Sequence, residues 1–324
     1  MRRGMRTQLK GAAARRELLP GTSPELLKEL HLLTRTGDLN ADSLRKLKQV
    51  NHLAGLLAPA VDDVLGRFGD PVIVDCGAGK SYLGFVLYEL FLKAAGKGSL
   101  VAVEARQELA GAGAERARRL GFDRLRYLAA PIDAAPVPRR VHLVTALHAC
   151  DTATDDALLL AIRHGADHVA VVPCCQAEVS RQLEAAAAPD PLVAPLFEHP
   201  WHRREFASHL TNVVRALVLE AHGYRVTVTE LTGWEHSMKN ELILGKKVRG
   251  GSGAAREKLA RLLAATGARP KLVRALEAGL ARREAEDADH PAQEPGGHRG
   301  DVGDHEHAGA HDEQEREGLP VHPR

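Results

Sequence analysis

The sequence predicts an α/β fold, a doubly wound, seven-stranded and mostly parallel sheet, on three observations. From Pro71 onward, short runs rich in β-branched residues alternate with helix-length segments, the pattern of a parallel sheet covered on both faces. The first run, Pro71-Val-Ile-Val-Asp75, ends in Cys76-Gly-Ala-Gly79 and leads at once into a helix-like stretch, which reads as buried strand, tight turn and helix. The last two runs, 224–230 and 241–247, are joined by a segment too short for a crossover helix, so they should close the sheet as an antiparallel pair.

Taken in order, residues 1–22 are basic and aperiodic and read as a flexible arm. Ser23-Pro24-Glu25 has the form of an N-cap followed by proline at the first helical position, opening a helix to about Thr34. A second helix opens at Asp42 or Ser43 and carries Leu47, Val50, Leu53, Leu57, Val61 and Val64 at intervals of three and four. Residues 23–70 thus form N-terminal helices, and 71–250 the ligand-binding domain. Its strands are expected at 71–75, 100–104, 125–129, 141–147, 168–172, 224–230 and 241–247, with helices at 82–95, 106–120 and 153–164. The insertion between strands five and six, 176–222, is far longer than an ordinary connection and is expected to cap the substrate side. It begins as a helix from Ala177 to Ala188, breaks at Pro189-Asp-Pro191 and ends in a helix from His209 to Ala221. Residues 251–283 hold two short helices split near Gly267 and Pro270. The tail 284–324, rich in Asp, Glu, His, Gly and Pro, is expected to be disordered.

Lys plus Arg number 44 against 42 Asp plus Glu, so no global basic field marks the chain for nucleic acid. The Ala, Arg, Leu and Gly bias with 4% aromatics points to a GC-rich bacterial source. Neither a signal-peptide pattern nor an 18-residue apolar run occurs, so a soluble, cytoplasmic protein without membrane or obligate protein partner is expected. The four cysteines, Cys76, Cys150, Cys174 and Cys175, are not spaced as a secreted disulfide framework, in line with a reducing compartment.

The glycine turn separates three nucleotide-binding possibilities. A P-loop needs a glycine where Val74 stands inside the strand, and a dinucleotide fingerprint needs one where Tyr82 stands. What remains is Asp75-x-Gly77-x-Gly79, followed one strand later by Glu104 at the end of Ser99-Leu-Val-Ala-Val-Glu104. This resembles motif I and the ribose-binding acid of class I S-adenosylmethionine-dependent methyltransferases, whose Rossmann-like sheet also closes with a late antiparallel strand. The resemblance implies S-adenosylmethionine as cofactor, with Asp75, Gly77, Gly79 and Glu104 at its site. Asp133, after the third strand, stands where that superfamily often places an acid near the adenine amino group.

In an open α/β sheet the ligand lies outside the carboxyl ends of the strands. Strands four and five end there in Leu147-His-Ala-Cys-Asp151 and Val172-Pro-Cys-Cys-Gln176. Three readings compete for this edge: a pocket of small residues, a His/Cys metal site and a reactive thiol. Plain packing is the commoner use of buried cysteine, so no metal is assigned. His148 and Asp151 are the candidates for a catalytic base. In the insertion, Trp201, Arg203 and Arg204 are the candidate substrate contacts, by base stacking and by holding a phosphate or carboxylate. Arg204, Ser208, Asn212 and Arg215 recur at helical spacing and are expected to share a face.

Taken together, Asp75-Cys-Gly-Ala-Gly-Lys-Ser-Tyr-Leu83, Leu147-His-Ala-Cys-Asp151, Val172-Pro-Cys-Cys175 and His236-Ser-Met-Lys-Asn240 resemble a methyltransferase-domain family. That family is also found in methyltransferase-like 25 proteins and in a glutathione S-transferase C-terminal-domain-containing protein. The likeness spans about residues 43–247. Ser81 stands where many relatives have glycine, and serine is expected to cap the following helix. The resemblance implies methyl transfer but no defined acceptor; the basic arm and the Trp201–Arg204 patch point to RNA, and a small molecule is equally allowed, while the alternative is a cofactor-binding scaffold without catalysis.

Overall fold

The computed structural model describes residues 19–147, 149, 151–173, 176–185, 189–230, 241–248 and 250–289, and of residues 283–289 only the backbone. The expected arm 1–22 and tail 284–324 therefore fall mostly outside the described residues. At the arm's end Leu19 packs on the hydrophobic core and Thr22 is buried, so packing begins before the first helix.

Helix α1 (Pro24–Glu29) starts as its sequence dictates, with Ser23 Oγ accepting from the Leu26 N–H at 3.2 Å. The buried Glu89 carboxylate receives both the Ser23 N–H and its hydroxyl, at 2.9 and 2.7 Å. Helix α2 (Ala41–Arg67) is capped one residue earlier than the periodicity implied, because Asn40 Oδ1 accepts from the Ser43 N–H at 2.8 Å. The apolar stripe of α2, Leu47, Val50, Leu53, Leu57 and Val61, is buried. Full burial of such side chains stabilises by about 1.5–3 kcal/mol each before entropy is counted.

The chain then alternates. Strand β1 (Val72–Cys76) leads through the glycine turn into α3 (Tyr82–Leu87), which continues as a π-helical segment (Tyr88–Lys93). Next come β2 (Ser99–Glu104), α4 (Gln107–Arg119), β3 (Leu125–Ala129), β4 (Leu143–Leu147), α5 (Thr152–Arg163) and β5 (His168–Val172). The insertion forms α6 (Ala177–Ala185), the single turn α7 (Pro195–Glu198) and α8 (Pro200–Ala221). Strands β6 (Tyr224–Glu230) and β7 (Glu241–Lys247) precede α9 (Gly253–Thr266) and α10 (Lys271–Asp289). Helix α8 starts nine residues before the expected His209, and the reason is local. Pro200 occupies its first turn, where a missing N–H costs nothing, so Trp201 to Phe206 are helical rather than a loop. Gly267 ends α9 with φ +67°, a left-handed C-terminal position that favours glycine.

The strand order is β3-β2-β1-β4-β5-β7-β6. The first five strands are parallel, and β7 pairs antiparallel with both β5 and β6. This is the expected doubly wound, Rossmann-like, mostly parallel sheet, with the strand order reversing beside β1. Two hydrophobic clusters cover its faces, one drawing on α1, α2 and α3, the other on α5, α6 and α8. The packed body ends at Leu280. No helix among the described residues is long and apolar enough to cross a membrane.

Candidate functional site

The turn after β1 is built from left-handed residues. Gly77 and Gly79 have φ of +63° and +54°, and Ser81 follows with φ +49°, a conformation that costs a residue bearing a Cβ. Ser81 stands at the N-cap of α3 as expected, but its side chain makes no capping bond. Instead its hydroxyl donates to Asp75 Oδ2 at 2.9 Å, and the Thr145 hydroxyl donates to Asp75 Oδ1 at 2.9 Å. A Cβ at Gly84 would run into this Ser81–Asp75 pair, so the third glycine of the segment clears room for it. Asp75 is 2% exposed, and burial pushes its carboxyl up to about 6 against the two hydroxyl bonds. Both oxygens are thus spent on shaping the turn.

Glu104 closes β2 beside this turn. Its Oε2 accepts the Gly79 N–H at 2.7 Å, and its Oε1 accepts the Arg106 N–H and Nε–H at 3.1 and 2.8 Å. Burial works to raise this carboxyl, but the bonds from Arg106 and Gly79 outweigh it and hold the group below the ordinary glutamate range. The Ala78 N–H is bonded to Val103 O at 2.9 Å. Amides of the turn are therefore tied to the end of β2 rather than spread as a phosphate cradle, in agreement with the missing P-loop glycine. A carboxylate offers about four lone-pair sites. Three are in use on Glu104, which leaves one open, and displacement of the largely exposed Arg106 side chain would free a second for the two ribose hydroxyls. The donor set fits S-adenosylmethionine at Gly77, Gly79 and Glu104, with Asp75 behind the turn. Asp133 is exposed on a short 3₁₀ turn after β3; burial chiefly, with the Asp133 charge adding to it, raises the Asp156 carboxyl on α5.

At the β4 and β5 edge, His148, Cys150, Cys174 and Cys175 lie outside the described residues, as does the His236-to-Asn240 motif. Among the described residues no group of His, Cys, Asp and Glu is placed to hold a metal. Cys76 is buried, and burial raises its thiol, so it packs and does not react. Asp151 has φ +50°. Its Oδ1 accepts the Glu178 N–H at 3.1 Å in the first turn of α6, and Oδ2 lies 3.4 Å from Arg181. This carboxylate faces α6.

The insertion divides the expected patch. Arg203 donates to Phe197 O and to Glu184 at 3.0 and 2.8 Å, fixing α8 to its own neighbours. Trp201 is exposed, with the Arg204 guanidinium 4.6 Å from its ring centre. The shared face of Ser208, Asn212 and Arg215 exists, but it is buried. Arg215 Nε donates to Asp155 Oδ1 at 2.7 Å and Nη2 to the Asp151 carbonyl at 2.9 Å, pinning α8 to the start of α5.

Sequence reasoning missed the cavity beside this face. It measures about 340 Å³ and opens at the carboxyl edge, between the β5 exit, α8 and the paired ends of β6 and β7. Glu205, His209, Glu230 and Glu241 line it. Gln176, Ser208 and Asn212 form its floor, with Ser208 Oγ donating to Gln176 Oε1 at 2.7 Å and Asn212 Nδ2 to Glu241 Oε2 at 3.0 Å. These groups lie up to 65 positions apart in the chain, from Gln176 to Glu241, and only the sheet topology joins them.

No curated protein matches this chain. Among solved structures it is similar to an rRNA methylase from Streptococcus thermophilus, at 11% identity and a TM-score of 0.40 over 60% of this chain and 95% of that one. A methyltransferase from Podospora anserina, PaMTH1, solved with S-adenosylhomocysteine, is 14% identical with a TM-score of 0.41 over 73% of this chain and 93% of that one. By sequence, residues 45–182 match the family model described as a methyltransferase domain. The matched stretch takes in the glycine turn, the Glu104 strand end and the β4–β5 edge.

Proposed function

We propose that the protein binds S-adenosylmethionine at the β1–β2 edge and transfers its methyl group to an acceptor held on the β4–β5–β7 side. The observation that carries this reading is the Glu104 carboxylate bonded to the Gly79 N–H at 2.7 Å, which sets a bidentate acceptor against a turn where the backbone approaches a ligand closely. Bound there, the cofactor would supply a sulfonium methyl for transfer to an in-line nucleophile, with S-adenosylhomocysteine as the leaving group. The protein's own part is then chiefly alignment, with a base where the nucleophile must lose a proton. Glu104 holds the ribose. Gly77 lets the backbone pass close to the methionine moiety, and Asp75 keeps Ser81 and the turn in register. Asp133 remains the candidate for the adenine amino group and His148 for the base. For Asp151 the bonds to α6 favour a positioning part.

The acceptor read from the sequence is RNA or a small molecule. The exposed Trp201–Arg204 pair supports an RNA contact on the rim, whereas the cavity supports a small group. The narrower kinship, with methyltransferase-like 25 proteins, rests on the four combined motifs quoted above.

Calorimetric titration with S-adenosylmethionine and S-adenosylhomocysteine, alongside NAD and ATP, tests the reading. Selective binding of the first two is expected, and Glu104→Ala should weaken it by about 1–3 kcal/mol through loss of charge-assisted hydrogen bonds. A preference for ATP or NAD overturns the cofactor assignment. Unchanged affinity in Glu104→Ala removes the ribose role. Tight binding with no methylation of any acceptor would favour the scaffold.

A further inference from the structure

We propose that the cavity between α8, the β5 exit and the β6–β7 pair is the acceptor pocket and takes an alkylammonium group, an inference that rests on the methyltransferase reading. Position argues for it first. The cavity opens at the carboxyl edge of β5, two strands from the glycine turn, or about 10 Å at the usual strand spacing. Its size, about 340 Å³, lies at the small end of ligand pockets and suits a side-chain-sized group.

The lining then selects the chemistry. Three carboxylates face the space, and no Lys or Arg is among the described residues that line it. Glu205 shares its charge with Arg204 at 3.6 Å. Glu230 and Glu241 meet no cation among the described residues. Behind the floor, Arg215 is neutralised by Asp155 at 2.7 Å, so its charge does not cancel theirs. A concave site of one sign concentrates ions of the other and disfavours the phosphates of a nucleic acid.

Hydrogen-bond accounting leads to the same class. The floor side chains bond to each other: Ser208 donates to Gln176, Gln176 Nε2 to Asn212 Oδ1 at 3.4 Å, and Asn212 Nδ2 to Glu241. These bonds leave one N–H of each amide, and the Thr229 hydroxyl also lines the space, but three carboxylates and the His209 imidazole make the lining predominantly accepting. An ammonium, with three donors and no acceptor, matches that set. Pro173 and Val228 flank the same space and offer apolar contact to an alkyl stem. A ring nitrogen of His209, exposed on α8, can receive the proton that an ammonium gives up before its nitrogen becomes a nucleophile.

The test is titration of the full chain, with and without saturating S-adenosylhomocysteine, by spermidine, by Nα-acetyl-lysine methylamide, and by an oligoribonucleotide. Both amines carry the same head group, and their ranking separates a free polyamine from a protein side chain as its source. Saturable binding of at least one amine is expected, weakened tenfold or more in Glu230→Gln/Glu241→Gln with S-adenosylhomocysteine affinity unchanged. The amide carbonyl that Glu241→Gln introduces can still accept from Asn212, so the floor survives. Amine binding that the double variant leaves intact, or an oligoribonucleotide that competes for the cavity, overturns the proposal. If S-adenosylhomocysteine binds and neither amine does, this inference fails alone. If S-adenosylhomocysteine fails to bind, the methyltransferase reading falls separately.

Discussion

An acid at the end of a strand beside a glycine turn reads from sequence as a group facing the ligand, and Asp75 and Glu104 read alike. Burial separates them. Glu104 accepts from the turn and from an exchangeable arginine, while Asp75 is enclosed between Ser81 and Thr145. The sequence could not distinguish these fates, because the αL conformation of Ser81, which points its hydroxyl inward, belongs to the three-dimensional turn. Enclosure has a measurable consequence. Burial raises the Asp75 carboxyl from an ordinary value near 3.9 to about 6. A raised folded-state value means that the stability contributed is fully present below the unfolded value and is lost as pH rises through about 6. The loss amounts to at most about 3 kcal/mol, from roughly two pKa units at 1.36 kcal/mol each. Asp75→Asn keeps the shape and cannot ionise, so its denaturation free energy should lack this fall between about pH 4 and 6. Parallel pH slopes for the two proteins would show that Asp75 does not carry the effect.

Among elements, the strands were legible as short apolar runs set between turn residues and helix-length segments: expected β3, β5, β6 and β7 coincide with the observed spans 125–129, 168–172, 224–230 and 241–247. The insertion was less so. Its length signalled a cap, but the early start of α8 at Pro200 reads as a loop, and the residue that fixes the helix reads only as one member of a shared helical face. Arg215, 1% exposed, is an internal anchor. In Asp155, burial raises the carboxyl and the guanidinium opposes that rise, the situation of a desolvated ion pair. Removing one member leaves the other charge buried alone, at about 3–5 kcal/mol. Arg215→Ala should therefore destabilise the protein by about that amount in urea unfolding. The pair Arg215→Met/Asp155→Asn should recover much of the loss. A double variant no more stable than Arg215→Ala would mean that packing of the arginine stem, and not its charge, holds α8.

Across the whole molecule, the sheet separates chemistry from scaffolding by edge. The carboxyl edge holds the glycine turn, Glu104 and the cavity. The amino edge holds a charge network of which sequence spacing marks only the i,i+4 pair Asp63–Arg67 on α2, since its other members come from the β5 start and the β7 end: Asp63 Oδ2 lies 2.7 Å from His168 Nε2 and 2.9 Å from Arg67, and Oδ1 is 3.4 Å from Lys246. The hydrogen bond with His168 chiefly, with Arg67 aiding it, lowers the Asp63 carboxyl to about 2 against its partial burial. A depressed acid contributes stability that is present above its unfolded value, near 3.9, and is lost as pH falls through about 2. Discounted for solvent, the contribution is about 1 kcal/mol. Asp63→Asn should thus lower stability by that order at pH 7 and converge with the parent protein below about pH 2. Because this edge lies across the sheet from the glycine turn, S-adenosylhomocysteine affinity should not change. A variant that keeps its stability but loses cofactor affinity would contradict the separation, for it would require coupling through β1 and β4, whose parallel register from Ile73–Leu143 to Asp75–Thr145 is the rigid link between the two edges.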